Sequence, residues 1–320
     1  MKLTSNSNSL LSLEEVNAIR DLGNLIGFDL RVYEEKDDHY FSNYPEAIVN
    51  GYMMKDGHVH KLMLMSDVST LPSSIGDLSW LEELWLSGNK LQILPDSIGN
   101  LSDLKILKLG FNKLKTIPES IGNLESLEIL ELHENNLTSL PNSLGKMRSL
   151  KSLCLIQNNL SKLPDSINDL KKLERISLSN NNFSEFPILI CTLLNLILLD
   201  IDNNQIKHIP DCISNLKALK RLFLDENKIN QLPESIGNLK NLEQLQLGEN
   251  KFVSLPTSIG NLKHLKSLSL SNNKLNSLPE SIGNLKSLKF LSIRNSGLTF
   301  FPPMINLLRN QGTLIDPEGF

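Results

Sequence analysis

The chain reads as an α/β solenoid: a curved repeat array with a parallel β-sheet on its concave face and short helical or 3₁₀ turns on its convex face. A helix and a β-hairpin are expected to cap its N-terminal end. Three observations carry this expectation. Leucine supplies 65 of the 320 residues, an excess that asks for a repeat. Rows of 23 residues align without a gap over residues 81–310, ten rows in all. The first eighty residues lack that period and carry helix and hairpin signals instead.

In chain order, Ser12 and Glu15 have the spacing of a capping box. Leu13, Val16, Ala18, Ile19, Leu22, Leu25 and Ile26 recur near helical spacing, so residues 13–26 read as an amphipathic helix ended by Gly27. Residues 31–44 are charged and aromatic without a period and read as loop or irregular cap. Asp56-Gly57 between two strand-like runs predicts a hairpin over residues 50–65, because both turn positions need positive φ. The chain thus divides into an N-terminal cap (1–49), the hairpin with a partial first repeat (50–80), ten repeats (81–310) and a C-terminal tail (311–320).

Each row contains an L-x-L pair, from Leu84 and Leu86 to Leu291 and Ile293. That is the period of a short strand with one buried face. Three residues later stands an asparagine: Asn89, Asn112, Asn135, Asn158, Asn181, Asn204, Asn227, Asn250 and Asn273, replaced only by Ser296. Such a side chain can pair backbone groups that a tightly bent chain would bury. The rest of the row reads Leu-Pro-x-Ser-Ile-Gly-Asn-Leu, as in residues 94–101. Proline has no N–H for a second sheet, so a helical or 3₁₀ return turn is expected, ended by the glycine.

These columns resemble the leucine-rich repeat, LxxLxLxxNxL, in its 23-residue form with the LPxxIGxL return. At finer grain they are similar to the Ras-group intracellular leucine-rich-repeat scaffolds and to short repeat proteins of bacteria and archaea. The resemblance implies a horseshoe used for protein binding and supplies no catalytic residue. It also implies a signalling partner, with a component of a Ras-like small GTPase pathway as the first candidate.

Charge and composition exclude several classes. Lys+Arg 32 against Asp+Glu 36 gives a net charge of −4, which argues against a nucleic-acid surface built on phosphate neutralisation and against a polybasic membrane anchor. No apolar run approaches the ~18 residues of a membrane helix, so no membrane insertion is expected. Residues 1–9 are Ser/Asn-rich and lack the regions of a secretory signal. The three cysteines, Cys154, Cys191 and Cys212, sit in regular repeat columns without a C-x-x-C and read as free thiols. No P-loop, G-x-G-x-x-G or H-E-x-x-H is present. The expectation is a cytoplasmic, non-enzymatic interaction module without cofactor or metal, monomeric or homodimeric. The alternative is an exported effector or surface-recognition protein that binds host or extracellular ligands.

Residues flanking the inward leucines project from the concave sheet. Those columns offer Trp85, Phe111 and Phe223 as apolar anchors, beside Glu131 and His133. Asp200, Asp202 and Asp225, with Glu226 at the rim and Arg175 and Arg221 at the near end of neighbouring strands, complete a patch suited to a basic partner surface. The three aspartates would hold Ca²⁺ only by gathering about six to eight oxygens. On the return side, Ile188, Leu189, Leu194, Ile197 and Leu198 replace polar residues of other rows. They read as a second interface, to a partner or another copy, or as a drifted repeat covered by its neighbours.

Overall fold

The computed structural model describes residues 11–33, 50–300 and 303–316, in two compact units that meet in sequence at Lys151 and Ser152. The Ser/Asn-rich start and residues 34–44 of the expected irregular cap lie outside the described residues.

In the first unit, helix α1 spans Leu13–Ile26 and closes at Gly27, φ 81°. Its capping box is formed: Glu15 N–H donates to Ser12 Oγ at 3.2 Å and Ser12 N–H to Glu15 Oε2 at 3.1 Å. The buried Glu15 also accepts from Val59 N–H at 3.0 Å and lies 3.1 Å from His58 Nδ1. One carboxylate therefore starts the helix and fastens it to the hairpin. Strands β1 (Arg31–Tyr33), β2 (Gly51–Lys55), β3 (His58–Met63), β4 (Glu83–Trp85), β5 (Ile106–Lys108) and β6 (Ile129–Glu131) follow. β2 and β3 form the expected antiparallel hairpin, with Asp56 at φ 51° and Gly57 at φ 86°; all other neighbouring pairs are parallel. Residues 31–33, expected as loop, are a strand because β2 supplies their ladder from twenty residues away.

The second unit holds β7 (Ser152–Cys154), β8 (Arg175–Ser177), β9 (Leu198–Asp200), β10 (Arg221–Phe223), β11 (Gln244–Gln246), β12 (Ser267–Ser269), β13 (Phe290–Ser292) and β14 (Leu314–Asp316). Each is parallel to the next. Helix α2 (Pro303–Asn310) replaces the short return turn before β14, so residues 314–316 of the tail are paired sheet.

Leucines of the L-x-L pairs are buried while the residues beside them are half-exposed. The asparagine column works as the bend requires. Asn227 Oδ1 accepts from Ile206 N–H at 3.0 Å, and its Nδ2 reaches the carbonyls of Ile201 (3.0 Å), Leu224 (3.3 Å) and Asp225 (3.0 Å). Returns are 3₁₀ turns such as Asp96–Asn100 and Glu234–Asn238, each preceded by proline. The proline carbonyl serves as the first acceptor, from Ile98 N–H to Pro95 O at 3.0 Å.

The glycine of that turn has another purpose than the expected one. It is not left-handed. A Cβ at Gly99 would stand 2.3 Å from the Ser120 carbonyl oxygen, and one at Gly260 would stand 2.2 Å from that of Ser281. Close approach of consecutive turns, not turn termination, demands glycine there. The partner in each case lies 21 residues on. Cys191 and Cys212 occupy this pair of columns, and they form a disulfide with Cα atoms 5.7 Å apart. The expectation of three free thiols is thereby overturned for these two: columns that look unrelated along the chain are in contact across the rows.

Candidate functional site

In every row the second residue after the L-x-L pair is left-handed. In the first unit these are Gly88 (φ 74°), Phe111 (55°) and Glu134 (53°); in the second, Gln157, Asn180, Asn203, Glu226, Glu249, Asn272 and Asn295. Glycine and asparagine adopt this conformation readily, whereas for other residues it costs roughly 1 kcal/mol.

Phe111 is 52% exposed despite that cost. Its ring meets His133 edge-on at 5.0 Å between centroids. The His133 ring takes the space beside Gly110, where a Cβ would come within 2.3 Å of it. Both rings border a recess of about 310 Å³ on the sheet face, with Met63, Met65, Trp85, Lys108 and Glu131. Lys108 Nζ sits 4.3 Å from the Trp85 ring centroid, a cation–π contact. Trp85 is not the free anchor its column suggests. It is buried beside Met53 and Met63, because β3, outside the 23-residue rows, continues the sheet and places Met63 in register with it. Just before the strands runs a column that sequence reading missed, where lysine and glutamate of adjacent rows pair: Lys105–Glu82 at 2.9 Å and Lys151–Glu128 at 2.8 Å. The alternation was visible in the rows and marks a solvated edge.

In the second unit, Arg175, Leu198 and Arg221 stand side by side across β8–β10. Leu198 therefore belongs to the sheet face, and Ile197 to the column before the strands, since Ile197 N–H bonds the Glu174 carbonyl. Neither joins Ile188, Leu189 and Leu194 as a return-side interface. Of those three, Ile188 and Leu194 are 60% and 59% exposed, and Leu189 lines a smaller recess with Phe183 and Phe186.

Asp200, Asp202 and Asp225 come together as expected, next to half-buried Phe223. Their oxygens are engaged locally. Asp200 Oδ1 accepts from the Ser179 hydroxyl and from Asp202 N–H (3.3 Å), Asp202 Oδ1 from Asp225 N–H (2.7 Å), and Asp225 Oδ1 from Gly248 N–H. Each carboxylate thus satisfies a backbone donor at the strand end. Burial, reinforced by Asp200 and Asp225, pushes Asp202 up to about 8; burial, with Glu226 and Glu249 nearby, pushes Asp225 up to about 6. Among the described residues no three carboxylate, histidine or cysteine groups gather as a metal site, so the Ca²⁺ reading has no geometry behind it.

Comparison with known proteins places these features. A leucine-rich repeat region model matches residues 51–153 and 97–182, and leucine-rich repeat models match 172–193, 195–252 and 240–298. No curated protein sequence shows significant similarity. Among solved structures, a leucine-rich-repeat protein of Leptospira interrogans is 34% identical, with TM-score 0.69 over 84% of this chain and 76% of that one. The PEPR1–AtPEP1 complex is 30% identical with TM-score 0.68, over 84% of this chain and 43% of that one. The plant peptide hormone receptor RGFR1, in complex with RGF2, is 25% identical with TM-score 0.52, over 84% and 55%. The chain thus spans about half the length of these two plant proteins. Row period, asparagine ladder, matched models and neighbours agree, and the chain belongs to the leucine-rich-repeat family.

Proposed function

We propose that the chain is a non-enzymatic protein-interaction module that takes a partner on its sheet face. The observation behind this reading is Phe111, a large apolar side chain half exposed in a left-handed backbone conformation that the other rows give to glycine, asparagine, glutamate or glutamine. Strain and exposure together are retained where a function repays them. The plant neighbours support it, since PEPR1 is seen with AtPEP1 and RGFR1 with RGF2.

Capture from an extract of the native source tests this reading, using the parent, a sheet-face variant (Phe111→Ser, Asp202→Lys, Phe223→Ala) and a return-side variant (Leu189→Asp, Leu194→Asp). A partner held by the parent and the return-side variant but lost from the sheet-face variant is the expected result. Loss only from the return-side variant would move the interface there. Trp85 is left intact because its removal would unpack the core.

The resemblance suggests a cytoplasmic signalling scaffold in a Ras-like GTPase pathway, whereas the Cys191–Cys212 disulfide favours the alternative, an exported recognition protein. Disulfides persist chiefly in oxidising compartments. Alkylation of the protein in its native source before unfolding, read by mass, is expected to leave Cys191 and Cys212 unmodified. Full alkylation of both would return the chain to the cytoplasmic scaffold reading. In the purified protein, reduction of this 21-residue loop by a dithiol should lower stability by about 3 kcal/mol.

A further inference from the structure

We infer that the recess in the first unit is a socket for one aromatic side chain with a carboxylate beside it, presented by a partner as a C-terminal or acid-flanked aromatic residue. The inference rests on the sheet-face reading and names its ligand chemistry.

Three features of the recess carry it. The first is a notch. At Gly88, with Phe111 in the same column of the next row, a Cβ would meet nothing within 4 Å except the Met65 methyl, 3.9 Å away. The row thus lacks a side chain between two partly exposed apolar ones. The second is size and lining. About 310 Å³, walled largely by Met63, Met65, Trp85 and Phe111, lies at the small end of the roughly 300–1,000 Å³ range of ligand sites. That volume suits one ring, which would contact the Phe111 ring and the methionine sulfurs favourably.

The third is charge. Lys61, Lys90, Lys105 and Lys151 of this unit each hold a carboxylate at 2.7–2.9 Å. Among the described residues Lys108, like Lys113 and Lys115, holds none, and its ammonium rests on the Trp85 face. Glu131 stands on the next strand, on the side of Lys108 away from Trp85. The end of the recess over Trp85 is therefore cationic, and a carboxylate there would pair with Lys108 as carboxylates pair with those four lysines.

The test uses the full chain carrying Trp80→Phe, which leaves Trp85 as the one indole, since the sequence has two tryptophans. Trp85 fluorescence is followed during titration with N-acetyl-L-phenylalanine, N-acetyl-L-phenylalaninamide and N-acetylglycine. A saturable change is expected with the first, about three- to fivefold weaker half-saturation with the amide, and no response to N-acetylglycine. Gly88→Asn should abolish the response while preserving the fold, because asparagine already takes this left-handed position at Asn180, Asn203, Asn272 and Asn295. Lys108→Met should erase the difference between acid and amide. No saturable change with N-acetyl-L-phenylalanine, equal response to acid and amide, or an unaltered titration in Gly88→Asn would each overturn the socket. If the sheet-face variant still loses its partner in the capture experiment, the socket alone falls and the broader reading stands.

Discussion

Replacing Asn227 by alanine is expected to destabilise the second unit by about 3 kcal/mol, read as a lowered midpoint in urea unfolding. The side chain is almost wholly buried, so water cannot substitute for it. Four backbone groups bond to it, and they do not lose equally. The Leu224 carbonyl keeps Asn250 Nδ2 at 2.8 Å, the Ile201 carbonyl keeps Asn204 Nδ2 at 3.2 Å, and the Asp225 carbonyl keeps Asn203 N–H at 3.0 Å. Among the described residues Ile206 N–H has Asn227 Oδ1 as its sole acceptor. One orphaned donor costs roughly 1–3 kcal/mol, and the weakened carbonyls and emptied volume add to it. Ser296 does not make serine a safe replacement. In its row the backbone takes over the task, with Leu275 N–H donating to the Ser296 carbonyl at 2.7 Å. A cost below about 1 kcal/mol for Asn227→Ala would mean that the ladder is a consequence of the bend and not its support.

The largest pH effect should come from Asp202. Its folded-state pKa of about 8 lies above that of an ordinary aspartate, so the folded protein binds a proton that the unfolded chain has released. Stability from this group is fully present below about pH 4 and is lost as pH rises towards 8. Asp225, raised to about 6, adds the same sign over the lower part of that window. Asp202→Asn keeps an oxygen to accept from Asp225 N–H and cannot ionise. The variant should therefore melt above the parent at pH 8–9, by on the order of 2 kcal/mol after allowance for the carboxyl's partial exposure, and close to it near pH 4. A parent melting curve insensitive to pH between 5 and 8 would refute this. The sheet face would also carry less negative charge at neutral pH than its carboxylates suggest.

Much of this molecule is legible before any coordinate is known, because its strongest signals are local or strictly periodic. Leu84 and Leu86, Pro95 and Asn89 announce strand, return and bend through their own chemistry, and Ser12, Glu15, Asp56 and Gly57 do the same for helix and hairpin. What escaped was whatever depends on contact between rows. Gly99 looks like a turn terminator until Ser120 is seen against it. Cys191 and Cys212 look inert until those same two columns are known to touch. Trp85 looks exposed until Met63 is placed beside it by a strand outside the period. The left-handed column was hidden for another reason: Phe111, Glu226 and Glu249 are not residues that advertise positive φ, although Gly88 and four asparagines in the same column do.

The register of the strands bears on how such a chain can change over time. From β9 to β13 each row pairs with the next at a displacement of 23 residues, Leu198 to Arg221 to Gln244 to Ser267 to Phe290. At the ends the displacement differs: Lys61 meets Glu83 and Phe290 meets Leu314. Interior rows are therefore interchangeable parts, and duplication or loss of a whole row leaves every remaining neighbour in step. A gene encoding this protein can lengthen or shorten by multiples of 69 bases inside the array, each event adding or removing one strip of sheet face, while a single-codon slip would throw leucines out of the core.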